Sequence, residues 1–369
     1  MVQVQVNPDV LMWAVQQSGV PMEQFETWFP AFPAWLKAEK FPTVAQLESF
    51  ARKAHVPFGY LVLREVPSLS RPHVQDFRTV GSRAVTGYSR NLLDTIRQMK
   101  ERQAWLHEYK KAGDYAKVAF VGSLTKSTSK TVFLERMYGT IGLDAGWQEA
   151  LPTKERAFQQ LRDCVEEAGV VLFVNGIVGN DTHRPLDLQE FRGFALADDY
   201  APLIFINGVD ATAGKIFTLV HELVHLFLGR DGLDDGTEAF CNEMAASFLV
   251  PETRFADAWR QKPQDFEGLE RTFKVSRLVL YRVALTRQYI LKKQYDALVK
   301  TYEEEMPRRK RHGGGGDFYK VLPNRIGRSF SRYVFSAVQE GALLYREAYR
   351  LLGIHGNSFQ HAMQEAAEV

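Results

Sequence analysis

The sequence predicts an α+β chain, mostly helical around a small β-sheet, and three observations carry that expectation. Helical patterns separated by turn signals run through both ends of the chain. Three short apolar or aromatic-rich runs, VVLFV (170–174), FRGFALA (191–197) and APLIFIN (201–207), are bounded by Gly, Asn and Asp and read as strands. Directly after them, residues 216–227 are apolar on nearly every side, the mark of a buried helix.

The 369 residues are enough for two or three domains with a sizeable core, and 45% apolar with 24% charged residues is an ordinary globular composition. No apolar run reaches the ~18 residues that span a membrane, and the start MVQVQVNPDV lacks a basic segment followed by an apolar one, so a cytoplasmic protein without membrane contact is expected. Two cysteines, Cys164 and Cys241, exclude a disulfide framework. A net charge of +2 does not imply a large nucleic-acid surface.

Residues 1–66 hold short helical patterns (PDVLMWAVQQSG, PMEQFETWF, PAWLKAEKF, PTVAQLESFARKAHVPFGYLVL) in an order that resembles a repressor-type, XRE-like helix-turn-helix domain. The chemistry argues against direct DNA reading. The second and third helices offer FPAFPAWLKAEKF, with no Arg, Asn or Gln at the start to meet base edges, and the segment carries five basic against six acidic side chains. A protein partner suits it better than DNA.

Residues 67–150 read as a linker broken by Pro67 and Pro72, then a long amphipathic helix over 91–112 with Leu92, Ile96, Met99, Trp105 and Leu106 on one side. FVGS (120–123) fits a short strand or a loop equally. A third region, 151–255, opens with a helix through LRDCVEEAG closed by Gly169, continues through the three strand runs, and gives Asp210 as a plausible N-cap for the buried helix. Residues 256–369 turn helical again. They include the basic run Arg308 to His312 and the glycines Gly313 to Gly316, which form no phosphate loop because no Lys-Ser or Lys-Thr follows, and a final helical segment over 330–352.

The buried helix contains His221, Glu222 and His225 in the order H-E-x-x-H. Positions i and i+4 lie one above the other, so both imidazoles point at one spot and can share a divalent metal. Glu222 lies about 100° further round the helix and suits a general base better than a ligand. A catalytic zinc needs a third protein ligand and an open position. Glu238 follows a turn region containing Gly229, Gly232 and Gly236, at the start of a second apolar helix that can return against the first; Glu243 is its rival. Asn242, four residues after Glu238, is the candidate to accept the free N–H of a ligating histidine. Cys241 reads as a small core residue.

HELVH, E-x-F-C-N and AASFLVP together resemble the ImmA/IrrE family of zinc metallo-endopeptidases, and the N-terminal helices, FRGFAL, LIFIN and GGGGDFY extend the likeness to its long members. The resemblance implies a zincin-like minimal peptidase core, in which a small sheet packs on the HExxH helix, and Zn2+ as the cofactor. It also implies hydrolysis of a protein substrate, a repressor-type regulator, with Glu222 as base and acid, and an exposed strand, here FRGFALA, that pairs with the extended substrate. The donor that would stabilise the oxyanion is not identified; His183, Arg192 and Tyr319 are candidates. Long members also sit beside toxin-like proteins, which makes an antitoxin-like or transcription-regulatory role the alternative.

Overall fold

The computed structural model describes residues 3–67, 88–229, 236–305 and 318–367. The linker around Pro72, Gly232, the basic run and the Gly313–Gly316 stretch lie outside the described residues. Those up to Pro67, with 88–94, form one compact unit; those from Thr95 onward form the other.

The first unit is a small helical bundle of α1 (Pro8–Ser18), α2 (Met22–Trp28), α3 (Phe32–Leu36), α4 (Val44–Ala54) and α5 (Phe58–Leu61). The Asn7 side chain accepts the Asp9 N–H at the start of α1, and Thr43 with Gln46 forms a reciprocal capping box on α4. The core is aromatic. Phe50 lies 5.1 Å from Phe25, 5.5 Å from Phe29, 5.4 Å from Phe32 and 6.2 Å from Trp35, ring centre to ring centre.

In the second unit α6 (Arg90–Ala112) contributes its residues from Thr95, followed by α7 (Lys130–Ile141) and α8 (Lys154–Glu167). Then come β1 (Val171–Asn175), β2 (Ile177–Val178), β3 (Asp181–Pro185), β4 (Gly193–Leu196) and β5 (Leu203–Asn207). β1, β5 and β4 form a mixed sheet in that order, β1 parallel and β4 antiparallel to β5, with Phe173 opposite Phe205 and Phe194 opposite Phe205. β2 and β3 make a separate antiparallel pair. That pair went unread in the sequence because DTHRP is polar and largely exposed, with no apolar alternation to show it.

The remaining helices are α9 (Thr212–Leu228), α10 (Thr237–Leu249), α11 (Glu252–Gln261), α12 (Phe266–Phe273), α13 (Arg277–Thr286), α14 (Lys292–Glu305), α15 (Phe318–Ile326), α16 (Arg328–Gln339), α17 (Tyr345–Leu352) and α18 (Asn357–Ala367). The expected helix over 330–352 is two helices. Gly341 takes φ +72°, a left-handed conformation that ends α16.

The sheet is covered on both faces. Leu172, Ile204 and Ile206 point into the core shared with α8 and α9, while α15 and α16 pack on β1, where Phe173 meets Phe330 at 5.5 Å. Every residue of LIFIN is therefore buried. Gly193, the first residue of β4, lets α9 come this close: a Cβ there would stand 2.6 Å from Thr218 Cγ2 and 2.8 Å from the Phe205 carbonyl. Asp210 is not the N-cap of α9. Ala211 holds that position, and the Asp210 carboxylate accepts the Ala211 N–H at 2.7 Å and the Arg192 guanidinium at 2.5 Å.

Gly193→Ala is expected to destabilise the protein by about 1–3 kcal/mol through overpacking against backbone that cannot move aside. Gly139→Ala, in α7 with nothing within 4 Å of the added methyl, should stabilise by up to about 1 kcal/mol through helix propensity. Urea unfolding of the two variants beside the parent checks both signs.

Candidate metal centre

α9 is a buried helix whose two ends are held from outside. Everything from Ile216 to Leu228 on it is buried. At its C-terminus the Gly122 N–H donates to the Leu226 carbonyl at 3.0 Å and the Leu124 N–H to the Phe227 carbonyl at 3.1 Å. The FVGS stretch is thus a loop that satisfies carbonyls left open at the helix end. Gly122 and Gly229 touch there, since a Cβ on Gly229 would lie 2.7 Å from Gly122 Cα.

His221 and His225 stand one turn apart, and α10 packs on α9 so that Glu238, in its first turn, meets both. His225 Nε2 lies 3.2 Å from His221 Nε2 and 3.1 Å from Glu238 Oε1, and His221 Nε2 lies 3.3 Å from Glu238 Oε2. A tetrahedral zinc with ligands at about 2.0–2.2 Å has ligand-to-ligand edges of about 3.3–3.6 Å. The three separations stand at or just under that spacing, and one ligand atom from each residue lies within 4.8 Å of the others. His221 is fully buried, while the Glu238 side chain is 39% exposed, so solvent reaches the group from the Glu238 side.

Charge organises the group. Burial works against a proton on His225, but hydrogen bonds to the Cys241 thiol and Glu238 and the charge of Glu222 outweigh it, and its pKa is pushed up to about 11. Burial likewise pushes the Glu238 carboxyl up, yet the two imidazoles hold it well below the usual carboxylate range. Glu222, 2% exposed, runs beside the start of β4, its Cγ 3.5 Å from where a Gly193 Cβ would be.

Other expected participants are placed differently. Glu243 is exposed and paired with Lys130 at 3.1 Å, away from the histidines. Asn242 is half-buried and makes no hydrogen bond to either imidazole among the described residues; the Cys241 thiol takes the place beside His225. Its spacing of i+3 from Glu238 puts it on the same helix face, the signal that could have found it. Burial pushes the Cys241 thiol pKa up, against the pull of His225, and it is not one of the clustered donors. Arg192 is engaged by Asp210, and His183 is exposed on β3, outside the three-stranded sheet. Tyr319 belongs to α15, but its side chain lies outside the described residues.

A sequence profile of the M78 peptidases, described as the IrrE N-terminal-like domain, matches residues 165–283, the stretch that holds His221, His225 and Glu238. It supports the ImmA/IrrE resemblance for this region. A second profile, a domain of unknown function (DUF8813), matches residues 326–365. No curated protein matches the chain. Among solved structures a Mycobacterium tuberculosis transcriptional regulator is similar at 15% identity with a TM-score of 0.26, over 52% of this chain and 50% of that one. The chain thus spans half the length of that regulator. Among the described residues no helix is long and apolar enough to cross a membrane.

Zinc added to metal-free protein is expected to bind at about one ion per chain. Because the proton on His225 must leave, affinity should rise with pH, about tenfold per pH unit for each proton displaced, between about pH 6 and 8. Glu238→Ala should weaken binding and Glu243→Ala should not. Calorimetric titration at several pH values measures all three; affinity indifferent to pH, or loss in the Glu243 variant, would contradict the assignment.

Proposed function

We propose that the chain is a zinc-dependent endopeptidase of the ImmA/IrrE kind, acting on a protein substrate of the repressor-type regulator class. The observation that carries this reading is the triangle of His221, His225 and Glu238 at 3.1–3.3 Å, with Glu222 between the same helix and β4. When bound there, zinc would supply a water whose pKa falls from about 15.7 towards 7 and would polarise the scissile carbonyl.

Glu222 accepts the proton from the attacking water as its oxygen bonds to the carbonyl carbon. As the C–N bond breaks, Glu222 delivers that proton to the leaving amine, so one carboxylate acts as base and then acid. Its burial keeps this transfer away from bulk water. β4 has β5 on one side, and no other strand pairs with it among the described residues. That edge offers backbone groups to an extended peptide, which would align by strand addition beside Glu222.

The N-terminal unit we read as helix-turn-helix-like in layout and as a protein-docking module. α3 has only five residues, and its large side chains Phe32 and Trp35 are buried in the unit's own core, so they are not available to base edges. A surface groove of about 480 Å3, whose lining includes Trp28, Phe29 and Pro30, suits an apolar protein segment better than a phosphate backbone.

Glu222→Gln should retain zinc and fold while cleavage of a regulator substrate falls by about 10²–10⁴-fold. Metal content and cleavage, measured side by side with the parent, decide it. Loss of zinc in this variant would remove Glu222 from the role of base, and undiminished biological activity would favour the antitoxin-like or regulatory role. For the N-terminal unit, a DNA titration against salt is expected to show no specific binding; a steep negative salt slope would reverse that assignment.

A further inference from the structure

A cavity of about 550 Å3 opens on the second unit, away from the metal centre, and among its lining residues are Glu101, Arg102, Asn180, Asp181, Arg184 and Arg350. Its walls come from α6, from the β2–β3 turn within the IrrE-like match, and from the C-terminal end of α17 within the DUF8813 match. The volume lies within the range of about 300–1,000 Å3 usual for small-molecule sites.

Arg102 is the unusual group. It is 6% exposed, and its guanidinium lies 5.0 Å from the ring centre of Phe173 and 5.9 Å from that of Phe330. Nε donates to the Leu351 carbonyl at 2.8 Å, which is its one hydrogen bond among the described residues. No carboxylate there forms an ion pair with it: Glu101 is taken by Arg350 at 3.7 Å, and Asp181 accepts the His183 N–H at 2.9 Å. Burial pulls the Arg102 pKa down to about 10, with Glu101 opposing. A guanidinium does not give up its proton at neutral pH, so this is a buried charge with donors to spare.

Asn180 Nδ2 donates to the Gly353 carbonyl at 2.9 Å, which ties the β2–β3 turn to the end of α17 on this wall. A cavity wall with a surplus cation calls for a ligand with an anionic group.

We propose that this cavity binds a small molecule carrying an oxyanion, phosphate or carboxylate, with Arg102 as the buried donor and Arg184 and Arg350 at the rim. The ligand would join the domain of unknown function to the peptidase-like region. Phe173, on which Arg102 stacks, alternates on β1 with Leu172, which points into the α9 core. This inference rests on no part of the peptidase reading, and its test reads binding alone.

Inorganic phosphate and, separately, citrate are titrated into the full chain at constant ionic strength against chloride, with thermal unfolding and calorimetry as readouts. A saturable effect of phosphate alone, citrate alone or both supports the site and tells which oxyanion it takes. Arg102→Lys keeps the charge but loses the planar fork, and should weaken binding at least tenfold, as should Arg184→Ala; if the Arg102 variant fails to fold, the Arg184 variant decides. No saturable effect of either probe beyond chloride, or binding undiminished in the folded variants, overturns the proposal.

Discussion

Burial of α9 is the constraint on which the rest of the second unit depends. A helix enclosed from Ile216 to Leu228 places His221, Glu222 and His225 where water cannot solvate them well. Ionisable groups in such surroundings are costly unless each meets a partner of opposite character. Glu238 supplies that partner for the imidazoles, and its position at the start of α10 requires α10 to pack against α9. The chemistry of the site and the packing of these two helices are therefore one problem.

Three devices keep the helix in place. Gly193 removes a Cβ that would collide with Thr218 and the Phe205 carbonyl, so sheet and helix meet along Glu222. Gly122 and Gly229 touch where the loop before α7 donates to the last carbonyls of α9. Arg192 and Asp210 pair at the other end. They work by close approach, by satisfying open backbone groups and by ion pairing, and none of these residues is a metal donor.

The sheet then separates two environments. On one face Leu172, Ile204 and Ile206 join α8 and α9 beneath the metal centre. On the other, Phe173 meets Phe330 and Arg102, beside the arginine-lined cavity. The alternation of side chains along β1 is what lets one strand serve both.

Much of this was legible in the sequence wherever the relation between residues is local. His221 and His225 at i and i+4 must share a helix face, Glu222 must lie to one side of it, and LIFIN, apolar up to its final Asn, reads as a strand. Relations across elements were not legible. The FVGS loop has no periodicity to show that it caps α9, and the exposed DTHRP strand carries no apolar alternation. Glu238 and Glu243 differ only in which side of α10 they occupy, and the same side decides whether Cys241 or Asn242 stands beside the histidines. The contact between α10 and α9 decides that side, turning Glu238 and Cys241 to the histidines and Glu243 to Lys130. Helical spacing is a property of the chain itself; which face meets which neighbour is settled only when distant segments pack, and there the tertiary structure decides.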